Sequence, residues 1–341
     1  MDARGRAGGC GTAGPAWDAL HRGLAVAVLG AGRAIGREVL SELLRAGHPP
    51  GLLSLHGRRP TGFAWRGTPL RVAPLESIPT GIQLAFLCTR HEVAGALFRS
   101  LVDREIRVVD LAGVSAGGGD AAVSLDGIGE GEMGLFTQAV AMPAPALQGL
   151  LRVLRPIETA ARLVTVEVTS LLGAAHGGAG GMRALREQVR GLAEAGIHAA
   201  DPEGRIGNPV GLTPEEAWGP GEGAEDGLRR FLGRPELPVQ VEPLAGDNER
   251  VDLHLVRVDL AEELTPEAAR ALLAGAPGVR VEAEARGPIP VAVRGSRRVH
   301  VGRIRTGSRG SRSLCFSAVA DPLRLGAQAA VAAAGRLSAV S

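Results

Sequence analysis

The chain has 341 residues, of which 45% are hydrophobic and 22% charged, a globular rather than a disordered composition. Its 38 basic and 36 acidic side chains leave a formal charge of +2, which argues against nucleic acid or an anionic membrane as partner. No apolar run reaches the roughly 18 residues of a membrane helix, and every basic residue is arginine, so lysine chemistry such as a Schiff base is excluded.

Residues 1–23 are Gly/Ala-rich, have no apolar h-region, and are expected to form a disordered extension rather than a secretion signal. The three cysteines, Cys10, Cys88 and Cys315, are far apart and odd in number, which suits neither a disulfide framework nor a metal. A reducing cytoplasm is the expected compartment. From Leu24 the pattern changes. Leu24 to Leu29 is a continuous apolar run of the kind buried on both faces of a parallel sheet. The turn Gly30 to Gly36 follows, and Glu38 to Ala46 has helical periodicity. Further strands are predicted at Leu52 to Leu55, Ile82 to Leu87 and Ile106 to Leu111, with a helix over Glu92 to Val102. Strand, glycine turn, helix and short crossovers predict an α/β doubly wound parallel sheet.

After about Pro145 the character shifts. Ala161 to Leu172 and Arg250 to Leu260 alternate as long strands, with a helix over Gly181 to Glu194 and a Pro/Gly-rich loop from Asp201 to Glu225 between them. Thr265 and Pro266 open a helix as N-cap and first-turn proline. Val299 to Ile304 and Leu314 to Ala320 are two more strands, and Asp321-Pro322 starts an Ala-rich terminal helix. This half is predicted to be α+β with a mixed or antiparallel sheet.

The turn Gly30 to Gly36 suits a dinucleotide, because glycines admit a pyrophosphate and the next helix offers free N–H groups. Such turns also merely close strand–helix junctions. Arg58 and Arg59 end the second strand where an acidic residue would read a ribose hydroxyl, which favours NADP unless they simply solvate a loop.

At this point the chain resembles the aspartate-semialdehyde dehydrogenase family, from about Leu24 to the C-terminus. Gly30-Ala31-Gly32-Arg33-Ala34-Ile35-Gly36 is similar to the family's GATGAVG, and Val108-Val109-Asp110 to its VID. Met142 to Leu147, continued without a gap to Pro156-Ile157, lies over NPNCST and LKPL. Leu232 to Leu237, Val301 to Arg305 and Val319 to Asp321 resemble LGDPEL, VGRIR and VADN. The resemblance implies a Rossmann domain over 24–145, a dimerisation domain over 146–320, and a terminal helix over 321–341 that returns to the first domain. It also implies a homodimer and a dehydrogenase of aspartate-route amino-acid biosynthesis. NADP is then expected against Gly30, Gly32, Arg33, Ala34, Ile35 and Gly36. Arg59, Cys88, Thr89 and Gly177 complete that expected cofactor set, with a small-molecule ligand possible beside it.

The family's chemistry needs a cysteine nucleophile, a proton-moving histidine and arginines for the substrate's anions. Its nucleophile falls here on Pro145, its glutamine on Leu172, its histidine on Asp247 and an arginine on Gln240. The phosphate arginine falls near Ala116, a Glu/Lys region on Gly221 to Gly227, a lysine on Leu325 and the ADN asparagine on Pro322. No catalytic residue is therefore assigned, and the expectation is a pseudoenzyme on the family scaffold. Cys88 with His91 is the one substitute thiol–imidazole pair, set against Cys88 as a small buried hydrophobe. Cys315 is expected in the core and Cys10 to be incidental. His176 is read as a tight-turn histidine or a polar ligand contact, and Asp247 with Glu249 as exposed loop charge or a carboxylate pair. Beside the non-catalytic scaffold stand two other readings: an oxidoreductase with a non-standard site, and an interaction subunit of an authentic dehydrogenase.

Overall fold

A computed structural model describes residues 23–65, 67–115, 121–123, 137–195, 223–246, 248–283 and 287–339. The expected extension and Asp247, Ala116 and most of the Pro/Gly-rich loop lie outside the described residues.

β1 (Val26–Leu29) is buried along its whole length, as its unbroken apolar run requires. It lies between β2 (Leu53–Gly57) and β5 (Leu84–Leu87), parallel to both. On one side the sheet continues through β4 (Thr68–Pro74) to β3 (Thr61–Trp65), and on the other through β6 (Arg107–Asp110) and β8 (Ala139–Ala141) to β7 (Ala121–Val123). Every pairing is parallel except that of β3 with β4. The edge hairpin escapes the periodicity reading because its two strands are short and largely exposed. α1 (Ala34–Arg45) follows β1 and α2 (His91–Asp103) follows β5. Chain order thus reverses at β1 and β5, the switch point of an open α/β sheet.

α3 (Pro145–Ala161) leads into the second sheet. β9 (Leu163–Leu172), α4 (Gly178–Ala195), α5 (Ala224–Leu232), β10 (Val239–Ala245), β11 (Asp252–Leu260), α6 (Pro266–Gly275), β12 (Val279–Val281), the one-turn α7 (Pro290–Val293), β13 (Val299–Gly307) and β14 (Gly310–Ala320) follow in chain order. The strands lie in the order β10, β9, β11, β14, β13, β12. The pairs among β9, β11, β14 and β13 are antiparallel and the two outer pairs parallel, a mixed sheet. Alternation in β9 turns Val166, Val168 and Leu172 into a core that Leu147, Leu150, Leu151 and Leu154 of α3 complete. As predicted, Thr265 caps α6: its hydroxyl accepts from the Ala268 N–H at 3.2 Å.

Cys315 corrects an expectation. Leu314 and Phe316 take the core face of β14, so Cys315 points the other way and is half-exposed, in register with Arg257 and Arg305. That face also carries Leu255 and Leu244, 48% and 46% exposed.

α8 (Pro322–Ala339) ends the described chain. Its alanines Ala327, Ala330 and Ala334 are fully buried with Val39 and Leu43 of α1, and the small side chains allow close approach: a Cβ on Gly326 would lie 3.6 Å from Ile35 Cδ1. No helix among the described residues is long and apolar enough to cross a membrane.

Candidate dinucleotide-binding site

The turn after β1 is built by two glycines that only glycine can fill. Gly30 has φ +90°, and a Cβ there would stand 2.5 Å from the Cys88 carbonyl oxygen. A Cβ on Gly36 would stand 2.2 Å from the Gly30 carbonyl oxygen, inside the first turn of α1. Gly32 differs: nothing lies within 4 Å of its Cβ position, so its backbone faces open space. The Gly30 and Ala31 N–H groups donate to the His56 carbonyl at 2.8 and 3.0 Å, tying the turn to the end of β2. The cradle is thus structurally fixed at its ends and open at its centre.

Arg33 is extended, with φ −79° and ψ 160°, and stands immediately before α1 with no side-chain cap. Ala34 and Ile35 open the helix, whose first N–H groups have no intrahelical partner. The β1–β5 pairing brings Cys88 and Thr89 beside this turn, since Leu29 is in register with Leu87. Arg59 follows the end of β2 and is exposed, as is Arg58. The ring of the neighbouring His56 is held by Ser54 Oγ at 2.7 Å and the Pro74 carbonyl at 2.9 Å. Gly177 belongs to the second sheet, in the 3-10 turn Ala174–Gly177 after β9.

The thiol–imidazole pair does not form. Cys88 is buried, and burial pushes its pKa far up, outweighing the charge of Arg33. The His91 ring is engaged elsewhere, with Nδ1 3.2 Å from the Ala112 carbonyl. A buried neutral thiol is a poor nucleophile. Pro145 is the first residue of α3, half-buried, with no side-chain donor or acceptor to offer. Leu172 and Leu325 are fully buried in the apolar core, Gln240 is exposed on β10, and Pro322 opens α8.

Two side-chain systems were not legible as such. Asp110, buried at the end of β6, accepts from the N–H groups of Ala112, Gly113 and Ser115 and from Ser115 Oγ, at 2.8, 3.1, 2.7 and 2.7 Å. It holds the loop after β6 in one conformation. His176 lies in the 3-10 turn Ala174–Gly177, as the turn reading has it, and its side chain is buried against Asp252, with Nε2 2.9 and 3.0 Å from the two carboxylate oxygens. Burial opposes its charge, yet the Asp252 carboxylate prevails and raises the His176 pKa. On the same face of β11 His254 is buried with Nδ1 2.8 Å from Ser170 Oγ, and burial lowers its pKa to about 4. Glu249, read as exposed loop charge or half of a carboxylate pair, is instead largely buried and paired with Arg186 and, at 3.2 Å, with Arg294.

No protein-family model matches the chain. Solved structures do. Aspartate semialdehyde dehydrogenase II from Vibrio cholerae, complexed with ASA, superposes with a TM-score of 0.78 at 18% identity, over 92% of this chain and 97% of that one. A probable aspartate-semialdehyde dehydrogenase from Pseudomonas aeruginosa gives 0.78 at 21% identity, over 92% and 98%. The Candida albicans enzyme, solved with NADP, gives 0.61 at 15%, over 92% and 97%. The chain has the aspartate-semialdehyde dehydrogenase fold. The likeness spans both sheets, and among the described residues the thiol beside the glycine turn is the buried Cys88.

Proposed function

We propose that the protein binds NADP on this fold without performing the semialdehyde dehydrogenase reaction. The observation that carries the reading is the pairing of an open glycine cradle at Gly32 with a proline, Pro145, at the position of the family nucleophile. Gly30, Gly32 and Gly36 shape the bed for the pyrophosphate, with Arg33, Ala34 and Ile35 offering charge and helix N–H groups. Arg59 and the adjacent Arg58 suit the 2′-phosphate, and the Thr89 hydroxyl, buried with no partner, suits a ligand oxygen beside Cys88. Gly177 would border the same ligand from the second sheet. Bound NADP would supply hydride chemistry; the thiol beside the glycine turn, Cys88, is buried and offers no accessible thiolate for an acyl-enzyme.

The test is a titration with NADPH followed by fluorescence and melting temperature, with turnover measured on the same sample. The expected result is a saturable rise in melting temperature and no semialdehyde- or aspartyl-phosphate-dependent change in NADPH absorbance. Turnover abolished by a thiol reagent overturns the non-catalytic reading, and no NADPH binding overturns the cofactor.

The open face of the second sheet supports a homodimer. Glu242 and Glu167 lie on β10 and β9 and Arg305 on β13, with Arg257 between them on β11, 3.7 Å from Glu167. A twofold axis lying in the interface along β11 sets the acidic side of one copy over the basic side of the other, around a centre of Leu255 and Leu253.

A further inference from the structure

Arg33 and Arg90 occupy the same place in two successive strand–turn–helix units. Each immediately precedes a helix, α1 of 12 and α2 of 13 residues, in extended conformation (φ −79°, ψ 160° and φ −73°, ψ 151°) and without a side-chain cap. Because β1 and β5 pair in parallel register at the switch point, the two turns touch, with the Gly30 Cβ position 2.5 Å from the Cys88 carbonyl oxygen. Two helix starts without side-chain caps, each preceded by an arginine, therefore lie side by side at the carboxyl ends of the two central strands. Both arginines are exposed, and neither side chain makes a hydrogen bond or ion pair with another described residue. Arg33 is affected by its neighbour: partial burial and then the charge of Arg90 lower its pKa, against a weaker pull from Cys88 and Glu92. Elsewhere the junction arginines are saturated, as where Arg250 meets both Asp321 and Glu38. Glu92, in the first turn of α2, is the nearby carboxylate and forms no ion pair with either arginine, so the like charges are relieved by an anion of two or more charges. The buried Thr89 hydroxyl, next to Arg90 in the chain, has no hydrogen-bond partner and is a second unsatisfied group beside this turn.

We propose that Arg90 and Arg33 form a clamp for a diphosphate group, with Arg90 a specificity-determining binding residue of the site. The identity of the ligand as a dinucleotide rests on the NADP reading above; the clamp itself does not. A diphosphate presents two phosphoryl groups to the two guanidinium groups where a monophosphate presents one, so the clamp selects diphosphates over monophosphates. It also accounts for a bulky cation at Arg33, where the resembled turn has a glycine: charge attraction takes over from the closest backbone approach.

The experiment is calorimetric titration of the wild-type protein, Arg90→Ala and an exposed control on α2, Arg99→Ala, with NADPH, inorganic pyrophosphate and nicotinamide mononucleotide. Titrations are run across roughly 50 to 300 mM salt, over which surface electrostatics weaken. Arg90→Ala should bind NADPH and pyrophosphate at least about tenfold more weakly, the loss of one charge-assisted contact. Its salt dependence should be shallower, while Arg99→Ala matches wild type and the mononucleotide binds weakly throughout. Wild-type binding of NADPH that Arg90→Ala leaves unchanged overturns the clamp and spares the cofactor. Arg90-dependent pyrophosphate binding without NADPH binding overturns the cofactor and keeps the clamp. Binding of neither overturns both.

Discussion

Single atoms decide what the glycine turn tolerates. An alanine at Gly36 places its Cβ against the Gly30 carbonyl, a backbone group that cannot turn aside. Gly36→Ala should therefore lose about 1–3 kcal/mol of stability and its NADPH binding, whereas Gly32→Ala should melt like wild type; thermal melts of the two variants check this. Pro145→Cys should leave the protein inactive in the NADPH absorbance assay, because a thiol without a base and anion-holding arginines is not a catalytic site. The histidines set an acid limit. His254 is held neutral with a depressed pKa, so its stability contribution is complete above the ordinary value of 6.5 and is lost as pH falls through about 4. The interval amounts to about 3 kcal/mol, and urea titrations from pH 7 to 4 should show a flatter loss for His254→Gln than for wild type. His176, with its pKa raised, acts in the opposite sense, its contribution present below the ordinary value and lost as pH rises through its folded one. Pro145 and Leu172 could be weighed from the sequence because they sit in contiguous stretches. The His176–Asp252 contact could not, because its partners are 76 residues apart and nothing local marks them.

At the scale of elements, legibility followed the length and burial of the run. β1, β5 and β6 are continuous apolar stretches and α8 a run of alanines, and each stands out from its neighbours. The edge hairpin β3–β4 is largely exposed and carries no continuous apolar run, and the three-residue β7, β8 and β12 are too short for a period to show. Cys315 failed by parity: a strand buried on one face offers two equivalent readings, and only packing against Leu314 and Phe316 selects one. That parity gives the open face its own test. Leu255→Asp places a like charge beside Glu167 and Glu242 at the centre of the proposed dimer, and the protein should run as a monomer in sedimentation velocity with an unchanged melt. A dimer that survives the substitution contradicts the sheet-to-sheet contact.

Across the whole molecule, charge joins what the two sheets leave separate. Arg250, just before β11, meets Asp321 through Nε and Nη2 at 3.0 Å and Glu38 of α1 through Nη1 at 2.8 Å. Asp321 also accepts from the Gly295 and Arg324 N–H groups, at 2.8 and 3.0 Å. Arg324 adds Glu38 at 3.1 Å, and Arg297 pairs with Glu42. Arg250→Met strands the fully buried Asp321 carboxylate and should cost about 3–5 kcal/mol, read as a lowered urea midpoint; loss of under about 1 kcal/mol would place the junction's strength in packing instead.

The close fit of α8 on α1 has a consequence for how the protein is made. β1 and α1 leave the ribosome long before α8, yet the alanine face that completes their core is carried by α8. The parallel sheet can therefore reach its native packing only after α8 has emerged, and until then Val39, Leu43 and their neighbours are exposed to chaperones and to other nascent chains. A stop codon at Asp321 would remove α8 and leave that first-made core permanently unfinished.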